Sequence, residues 1–131
     1  MQKLSLKNVA VAASLVATLA VSSAALAGGS LAGMYTTSIK SPAQFKGTWV
    51  LKFAKGGNYT VDNGQLLIRG RYSTNGSRIT FGHETGDGAC AKSGTYTWKK
   101  TGKTLTFSRV SEPPVCSGRS GVLAHTFTER R

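Results

Sequence analysis

Residues 94–107 read GTYTWKKTGKTLTF, and their pattern is that of a β-hairpin. Aromatic and aliphatic residues alternate with Thr and Lys on both sides of Thr101-Gly102-Lys103, and a period of two is typical of strands with one buried face. The central glycine supplies the backbone freedom that a tight turn needs. We therefore predict strands over residues 94–100 and 104–110. The side chains expected to face the core are Tyr96, Trp98, Leu105 and Phe107.

The same alternation continues on both sides of this hairpin, with Asn-Gly pairs at two of the predicted turns. It predicts seven or eight strands and no amphipathic helix after residue 27. The other predicted strands cover residues 47–54, 59–61, 65–73, 77–84 and 122–128. Short strands joined by tight turns indicate an all-β fold, which we take to be a small antiparallel up-and-down β-barrel. A barrel of this size is narrow enough for its aromatic side chains to fill.

The N-terminal residues have a different pattern. Lys3 and Lys7 precede an almost continuous apolar run, which closes on Ala25-Leu26-Ala27. This order is typical of a secretory signal peptide over residues 1–27, although an apolar run of this length is also long enough for a membrane anchor. We predict cleavage after Ala27, a flexible leader over 28–42, and the barrel domain over 43–131. The mature chain is then expected to have no membrane span and to be secreted or periplasmic.

Composition excludes several classes of protein. The chain has 131 residues, 17 Lys and Arg against 5 Asp and Glu, and a formal net charge of +12. This length fits one small domain. With 40% hydrophobic and 17% charged residues, the chain is not disordered by composition.

Cys90 and Cys116 are the two cysteines of the chain. In an oxidising compartment an even number of cysteines favours a disulfide. A bridge between them would add about 3 kcal/mol by restricting the unfolded chain. The alternative is a zinc site made by the two cysteines with His83 and His125.

Two groups of residues carry a resemblance to a known family. Gly47-Thr48-Trp49 on the first predicted strand resembles the Gly-x-Trp signature of lipocalins and the wider calycin group. Residues 94–98 (GTYTW), followed by Leu105, Cys116, Arg119 and Leu123, are similar to small secreted bacterial lipocalin-like domains. The resemblance covers about residues 46–130. It implies an antiparallel barrel with a hydrophobic-ligand pocket, and an arginine, Arg130 or Arg131, packed over Trp49.

Polar residues at positions predicted to face inward are the candidate ligand contacts. The alternation places Tyr72, His83, Arg109 and His125 on inner faces, and burying such groups without partners is unfavourable. Either they line a ligand-binding mouth together with Trp49, or they lie near strand ends and reach solvent. The first reading predicts a monomeric binding protein for a small apolar or anionic ligand, with no cofactor.

Catalysis has little support in the sequence. The chain contains no GxSxG, HExxH or phosphate-binding loop motif. His83 and Glu84 are adjacent, so on a strand they point to opposite faces and cannot act as an acid–base pair. We therefore expect a protein that is not an enzyme.

The excess of basic residues points to a second kind of partner. A positive outer surface would attract anionic polymers of the cell envelope, or would serve solubility alone. The residues predicted to form this surface on the outer faces of strands are Lys52, Arg69, Arg71, Lys99 and Lys100.

Overall fold

The computed structural model describes residues 31–130, which form eight antiparallel strands. The predicted signal peptide lies outside the described residues. The strands are β1 Gly33–Ile39, β2 Gly47–Phe53, β3 Asn58–Asp62, β4 Leu67–Asn75, β5 Arg78–Thr85, β6 Gly94–Thr101, β7 Thr104–Ser111 and β8 Phe127–Arg130. The helical segments between β1 and β8 are one α-helix, α1 Ser117–Leu123, and the 3-10 turns Ala43–Phe45 and Pro114–Cys116.

Each strand pairs with its neighbour in the chain, and β8 pairs with β1, so the sheet closes into a barrel. The closing ladder places Met34 opposite Arg130 and Thr36 opposite Thr128. Closure leaves no continuous edge on which another chain could add a strand. The predicted fold class, an up-and-down antiparallel β-barrel, is confirmed.

The predicted flexible leader over residues 28–42 is wrong where the structure describes it. Residues 33–39 form β1, which pairs along its whole length with β2 from Gly33–Phe53 to Ile39–Gly47. Tyr35 and Ile39 on this strand are buried. The small polar residues between them hid the alternation, but the unpaired edges of β2 and β8 require a strand here. The barrel domain therefore begins before residue 43.

The two ends of the barrel differ in the length of their connections. At one end, which we call the turn end, the connections are the short segments 54–57, 76–77 and 102–103. At the other, the loop end, the connections are the longer segments 40–46, 63–66, 86–93 and 112–126. Binding residues are usually carried by such longer loops on a rigid scaffold.

Aromatic rings fill the middle of the barrel. The ring centres of Phe53 and Tyr72 are 4.8 Å apart, and those of Phe81 and Tyr59 are 5.2 Å apart. Both pairs are edge-to-face, which is a favourable arrangement for aromatic rings. Near the turn end, Tyr35 donates a hydrogen bond of 2.8 Å to the carbonyl of Leu31. The buried side chains of this core include Trp49, Leu51, Phe53, Tyr59, Ile79, Phe81, Tyr96, Leu105, Phe107 and Phe127.

The strand predicted over residues 122–128 is largely wrong, as is the expectation of no helix. Residues 117–123 form α1, and β8 begins only at Phe127. Two glycines and two serines give α1 a weak intrinsic helix propensity, so its stability comes from burying Val122 and Leu123. No helix within residues 31–130 has the length and apolar character needed to cross a bilayer.

Candidate ligand-binding site

A cavity of about 220 Å³ opens at the loop end of the barrel. Its walls are mostly apolar, with a few polar groups at the rim and at one side. The apolar and aromatic lining side chains are Phe45, Trp49, Leu51, Tyr59, Val61, Leu66, Ile68, Phe81, Val122, Leu123 and Phe127. The polar lining side chains are Gln44, Asn63, Glu84 and Arg119. Known small-molecule sites commonly combine mainly apolar walls with a few polar groups that orient the ligand.

Two segments of the loop end meet over this cavity. The indole Nε1 of Trp49 donates a hydrogen bond of 2.7 Å to the carbonyl of Phe45. The Phe45 ring lies directly against Gly121 of α1, in the space that a Cβ would occupy at this glycine. The 40–46 loop and α1 are therefore packed together at the rim.

A buried charged cluster forms the polar side of the cavity. We call Glu84, Glu112 and Arg119 the charged cluster. Their side chains are only 4%, 1% and 6% exposed. Arg119 donates from Nε and Nη2 to the two carboxylate oxygens of Glu112 at 2.8 and 2.7 Å, and its Nη1 lies 3.2 Å from Glu84 Oε2. Because two carboxylates share one guanidinium, the cluster carries one net negative charge.

Two tyrosines and two backbone groups complete the bonding of this cluster. Tyr59 donates its hydroxyl to Glu84 Oε2, and Tyr96 donates to Glu112 Oε2 at 2.5 Å. The amide of Cys90 donates to Glu84 Oε1 at 2.9 Å, while Arg119 Nη2 also donates to the Lys92 carbonyl at 2.7 Å. Glu84 thus accepts two hydrogen bonds and Glu112 accepts three, as buried charges require.

The pKa values of these groups follow from burial and the neighbouring charges. Burial, followed by the hydrogen bond each donates to a carboxylate, raises the pKa of Tyr59 and of Tyr96 well above the ordinary value. For Arg119, burial opposes the charged form, but the bonds to Glu112 and the charge of Glu84 outweigh it and raise its pKa. The two hydroxyls therefore stay protonated, and the guanidinium stays charged, at every physiological pH.

A β-bulge in β5 turns Glu84 into the barrel. Arg71 pairs with Gly82 and Arg69 with Thr85, so two residues of β5 face the single residue Gly70 on β4. His83, the first of these two residues of β5, has a φ of +53°. A bulge reverses the side-chain alternation beyond it. As a result the inward prediction for His83 is wrong: His83 is exposed, and Glu84 takes the inner position.

The two cysteines form the predicted disulfide. Cys90 and Cys116 are bonded, with a Cα–Cα distance of 5.5 Å. The bridge joins the 86–93 loop to the 3-10 turn that leads into α1, beside Arg119. Since both thiols are consumed, the alternative zinc site lacks its two sulfur ligands. Among residues 31–130, no group of His, Cys, Asp and Glu is placed to hold a metal ion.

The five residues predicted to line one mouth lie in different places. Trp49 lines the cavity. Arg109 is exposed opposite Tyr96, where it lines a second depression of about 330 Å³ on the other side of α1. Tyr72 is half-buried toward the turn end and donates a hydrogen bond of 2.6 Å to the Ala54 carbonyl.

The two histidines line neither of these depressions. His83 projects outward at the bulge. His125, which we placed on an inner strand face, is half-buried in the bend between α1 and β8, where its backbone amide donates to the Val122 carbonyl at 3.3 Å. The observed position of His125 differs from the predicted one because the chain there forms a helix and a bend instead of a strand. His83 and Glu84 do face opposite sides of the sheet, as predicted, but with the sides exchanged.

The basic outer surface is positioned as predicted at four of its five residues. Lys52, Arg69, Arg71 and Lys99 are exposed. The prediction for Lys100 is wrong: its Nζ lies 5.6 Å from the centre of the Tyr35 ring and 3.2 Å from Glu129 Oε1. Lys100 falls on the inward parity of β6, near the turn end, where this carboxylate and ring stabilise it.

Part of this surface is a regular cross-strand row. Arg130 on β8 lies opposite Met34 on β1, which lies opposite Lys52 on β2. Lys52 is opposite Thr60 on β3, and Thr60 is opposite Arg69 on β4. Successive cations of the row are therefore two strands, or about 10 Å, apart.

The arginine expected over Trp49 is not found among the described residues. Arg130 pairs with Met34 near the turn end, whereas Trp49 pairs with Thr37 nearer the loop end. Arg131 lies outside the described residues. The predicted cation–π contact with Arg130 is therefore wrong, because the register of β8 carries it away from this tryptophan.

Sequence reasoning missed the charged cluster. Glu84 was hidden by the bulge, and Glu112 by its place in an irregular segment before two prolines. One signal was present in the motif that carries the lipocalin resemblance, because Gly94, Tyr96 and Arg119 of this motif all lie against Glu112. Comparisons of the chain with protein-family models, curated proteins and solved structures gave no match.

Proposed function

We propose that this chain is an exported, non-catalytic binding protein of lipocalin-like type, which takes a small, mainly apolar ligand at the loop end of its barrel. The observation that carries the proposal is the cavity beside Trp49, with apolar walls and a single polar side. Pockets with this division of surface are the usual form of small-molecule sites. The Cys90–Cys116 disulfide supports an oxidising compartment, and the sequence of residues 1–27 supports export.

The size of the cavity limits the ligand. An apolar cavity of about 150 Å³ accepts benzene. The 220 Å³ here then suits a molecule somewhat larger than one six-membered ring. A long fatty-acid chain would not fit, because aromatic side chains occupy the barrel below the cavity, including Phe53 and Phe107.

Native mass spectrometry tests this proposal directly. The protein, expressed from its full-length sequence in a host that exports it, would be analysed first in its native state and then denatured. We expect an added mass of a small molecule that denaturation releases. A native mass equal to that of the oxidised polypeptide, together with no binding of any compact aromatic probe, would contradict the proposal.

Two tryptophan substitutions locate the site. Val61 lines the cavity, and Thr60 is its neighbour on the opposite face of β3. Val61→Trp should fill the cavity and abolish the added mass, whereas Thr60→Trp should leave it unchanged. Equal retention in both variants would place the ligand elsewhere.

The outer surface supports a second candidate function, binding of anionic polymers. Three of the five acidic residues are engaged in ion pairs with Arg119 or Lys100. The remaining two, Asp62 and Asp87, are in no salt bridge within residues 31–130, so most of the exposed cations are not neutralised. Three of these cations, Lys52, Arg69 and Arg130, lie in the cross-strand row on the outer face of the sheet.

Salt dependence measures this second function. With a short DNA duplex as the polyanion, the slope of log K against log salt should lose about 2 units of steepness in Lys52→Gln/Arg69→Gln. The control Lys55→Gln/Lys103→Gln removes the same charge from turns. If both pairs changed the slope equally, binding would reflect net charge alone and the row would have no special role.

A further inference from the structure

We infer that the cavity takes a quaternary ammonium ligand, an organic cation whose charge is covered by methyl groups. The inference rests on the proposed function and adds the chemical class of the ligand. Two features of the cavity carry it: the negative charge of the cluster at its polar side, and the aromatic rings in its walls.

The surplus negative charge of the cluster lies on the side of the cavity. Arg119 donates two hydrogen bonds to Glu112, whereas its contact with Glu84 is an ion pair of 3.2 Å without a hydrogen bond. Glu112 therefore compensates most of the guanidinium charge. Glu84, and not Glu112, lines the cavity. A cation in the cavity would thus lie beside the carboxylate that Arg119 neutralises less completely.

Burial makes the attraction of Glu84 for a cation effective. The side chains of Glu84 and Arg119 are more than nine-tenths buried, and charges interact more strongly where water is excluded. The exposed cations of the exterior lie in water, where salt screens their charge within about 10 Å. The basic exterior therefore repels a cation less, at the cavity wall, than the buried carboxylate attracts it.

The aromatic walls supply a second attraction for a cation. Trp49, Tyr59 and Phe81 line the cavity, and the faces of such rings bind cations, quaternary ammonium groups in particular. Tyr59 also joins these walls to the cluster, since its hydroxyl donates to Glu84. Hydrogen-bonded groups polarise one another, and a phenol that donates to a carboxylate has a more electron-rich ring. The Tyr59 ring is therefore a better partner for a cation than an isolated tyrosine.

The hydrogen bonds of Glu84 favour a quaternary over a primary ammonium. Its two carboxylate oxygens already accept from the Tyr59 hydroxyl and the Cys90 amide. A primary ammonium brings three N–H donors that each need an acceptor on leaving water. A quaternary ammonium has none, so it can lie beside Glu84 without displacing either donor. Its methyl groups would contact the apolar wall at Val61 and Leu66.

Three compounds of nearly equal size test the ligand class: choline, its uncharged isostere 3,3-dimethylbutan-1-ol, and the anion 3,3-dimethylbutanoate. Each would be titrated by calorimetry into the exported, oxidised protein at neutral pH, with Val61→Trp as the control for the site. We expect choline to bind about tenfold more tightly than the alcohol, a difference that cation–π contacts away from water supply. The carboxylate should bind more weakly than either at the cavity.

The outcomes distinguish the inference from the proposed function, and only binding that Val61→Trp abolishes is binding at the cavity. If the alcohol or the carboxylate bound there at least as tightly as choline, the inference would be wrong while the cavity stayed a ligand site. If none of the three bound there, the proposed function would fail and the inference with it. Choline is a stringent probe, because the strongly basic exterior does not attract it.

A charge-removing variant gives a second readout. Glu84→Gln makes the cluster neutral with nearly the same shape, so the affinity for choline should fall several-fold relative to that for the alcohol. The alcohol reports whether the cavity is intact. Asp87→Asn makes the same change in total charge at an exposed loop residue and should leave the ratio unchanged. An unchanged ratio in Glu84→Gln would overturn the role of the cluster in the inference.

Discussion

Gly94 shows at the residue scale how the charged cluster depends on the absence of a side chain. A Cβ at this position would overlap the carboxylate of Glu112, which lies against the glycine while it binds Arg119 and Tyr96. Gly94 has an ordinary backbone conformation, so the requirement is for space and not for a positive φ. The first residue of the GTYTW motif is therefore explained by a contact with a residue 18 positions later in the chain.

Gly94→Ala should destabilise the protein by about 3 kcal/mol, because the carboxylate must move and its buried bonds to Arg119 are weakened. The measurement is the free energy of unfolding in urea. Gly56→Ala is the matched control, since a Cβ there meets nothing within 4 Å, and it should change stability by less than about 1 kcal/mol. Equal effects of the two substitutions would show that Gly94 has no special packing role.

The elements of the barrel were predictable where the pattern is local. The hairpin β6–β7 was predicted to within one residue at each strand end, and β2, β4 and β5 to within two. Alternation and turn residues act over short distances along the chain, so one sequence suffices to find them. The bulge in β5, the strand β1 and the helix α1 depend on partners far along the chain, and their local patterns are weak.

The bulge gives a prediction for His83. Its φ of +53 is unfavourable for a residue with a side chain and favourable for glycine. We expect His83→Gly to raise the free energy of unfolding by about 0.5–1 kcal/mol in urea. His125→Gly, in the bend after α1, should lower it by a similar amount, because glycine there only adds freedom to the unfolded chain. A loss of stability in His83→Gly would contradict the strain at the bulge.

The disulfide gives a second prediction for the loop end. Its cysteines are 26 residues apart, so replacing both by Ser should lower stability by about 3 kcal/mol. In this variant hydrogen exchange should become faster first at the backbone amide of residue 90, which donates to Glu84, before the core strands are affected. Uniform acceleration over the whole barrel would instead indicate that the bridge acts only on global unfolding.

At the scale of the whole molecule, burial divides the charges of the protein into two sets. The exterior is strongly basic, whereas the loop end of the interior holds a cluster with one net negative charge. All four tyrosines have raised pKa values, with burial as the largest cause in each case. The barrel therefore keeps every phenol protonated beyond the pH at which the unfolded chain ionises them.

This difference predicts an alkaline limit to stability. The ordinary pKa of tyrosine is 10.0. Below this pH the phenols are protonated in both the folded and the unfolded chain, so they add no pH dependence to the stability. Above it the unfolded chain loses protons that the folded chain keeps, so stability falls as pH rises.

Above pH 10, replacing Tyr59 by Phe should make the free energy of unfolding fall less steeply, by about 1 kcal/mol per pH unit. This expectation holds whatever stability the substitution loses at pH 8. Urea unfolding of the two proteins between pH 8 and 11 is the measurement. Parallel curves would contradict the contribution of Tyr59.

By itself the sequence determined the strand content, the turns, the class of barrel and the pairing of Cys90 with Cys116, since these follow from local alternation and from having only two cysteines. Only the tertiary structure decided that residues 33–39 close the sheet, that Glu84 and not His83 faces inward, and that Arg119 joins two carboxylates. The reason is physical. A one-residue bulge reverses the parity of a strand, and the partners of a buried charge come from different loops that only the closed barrel brings together.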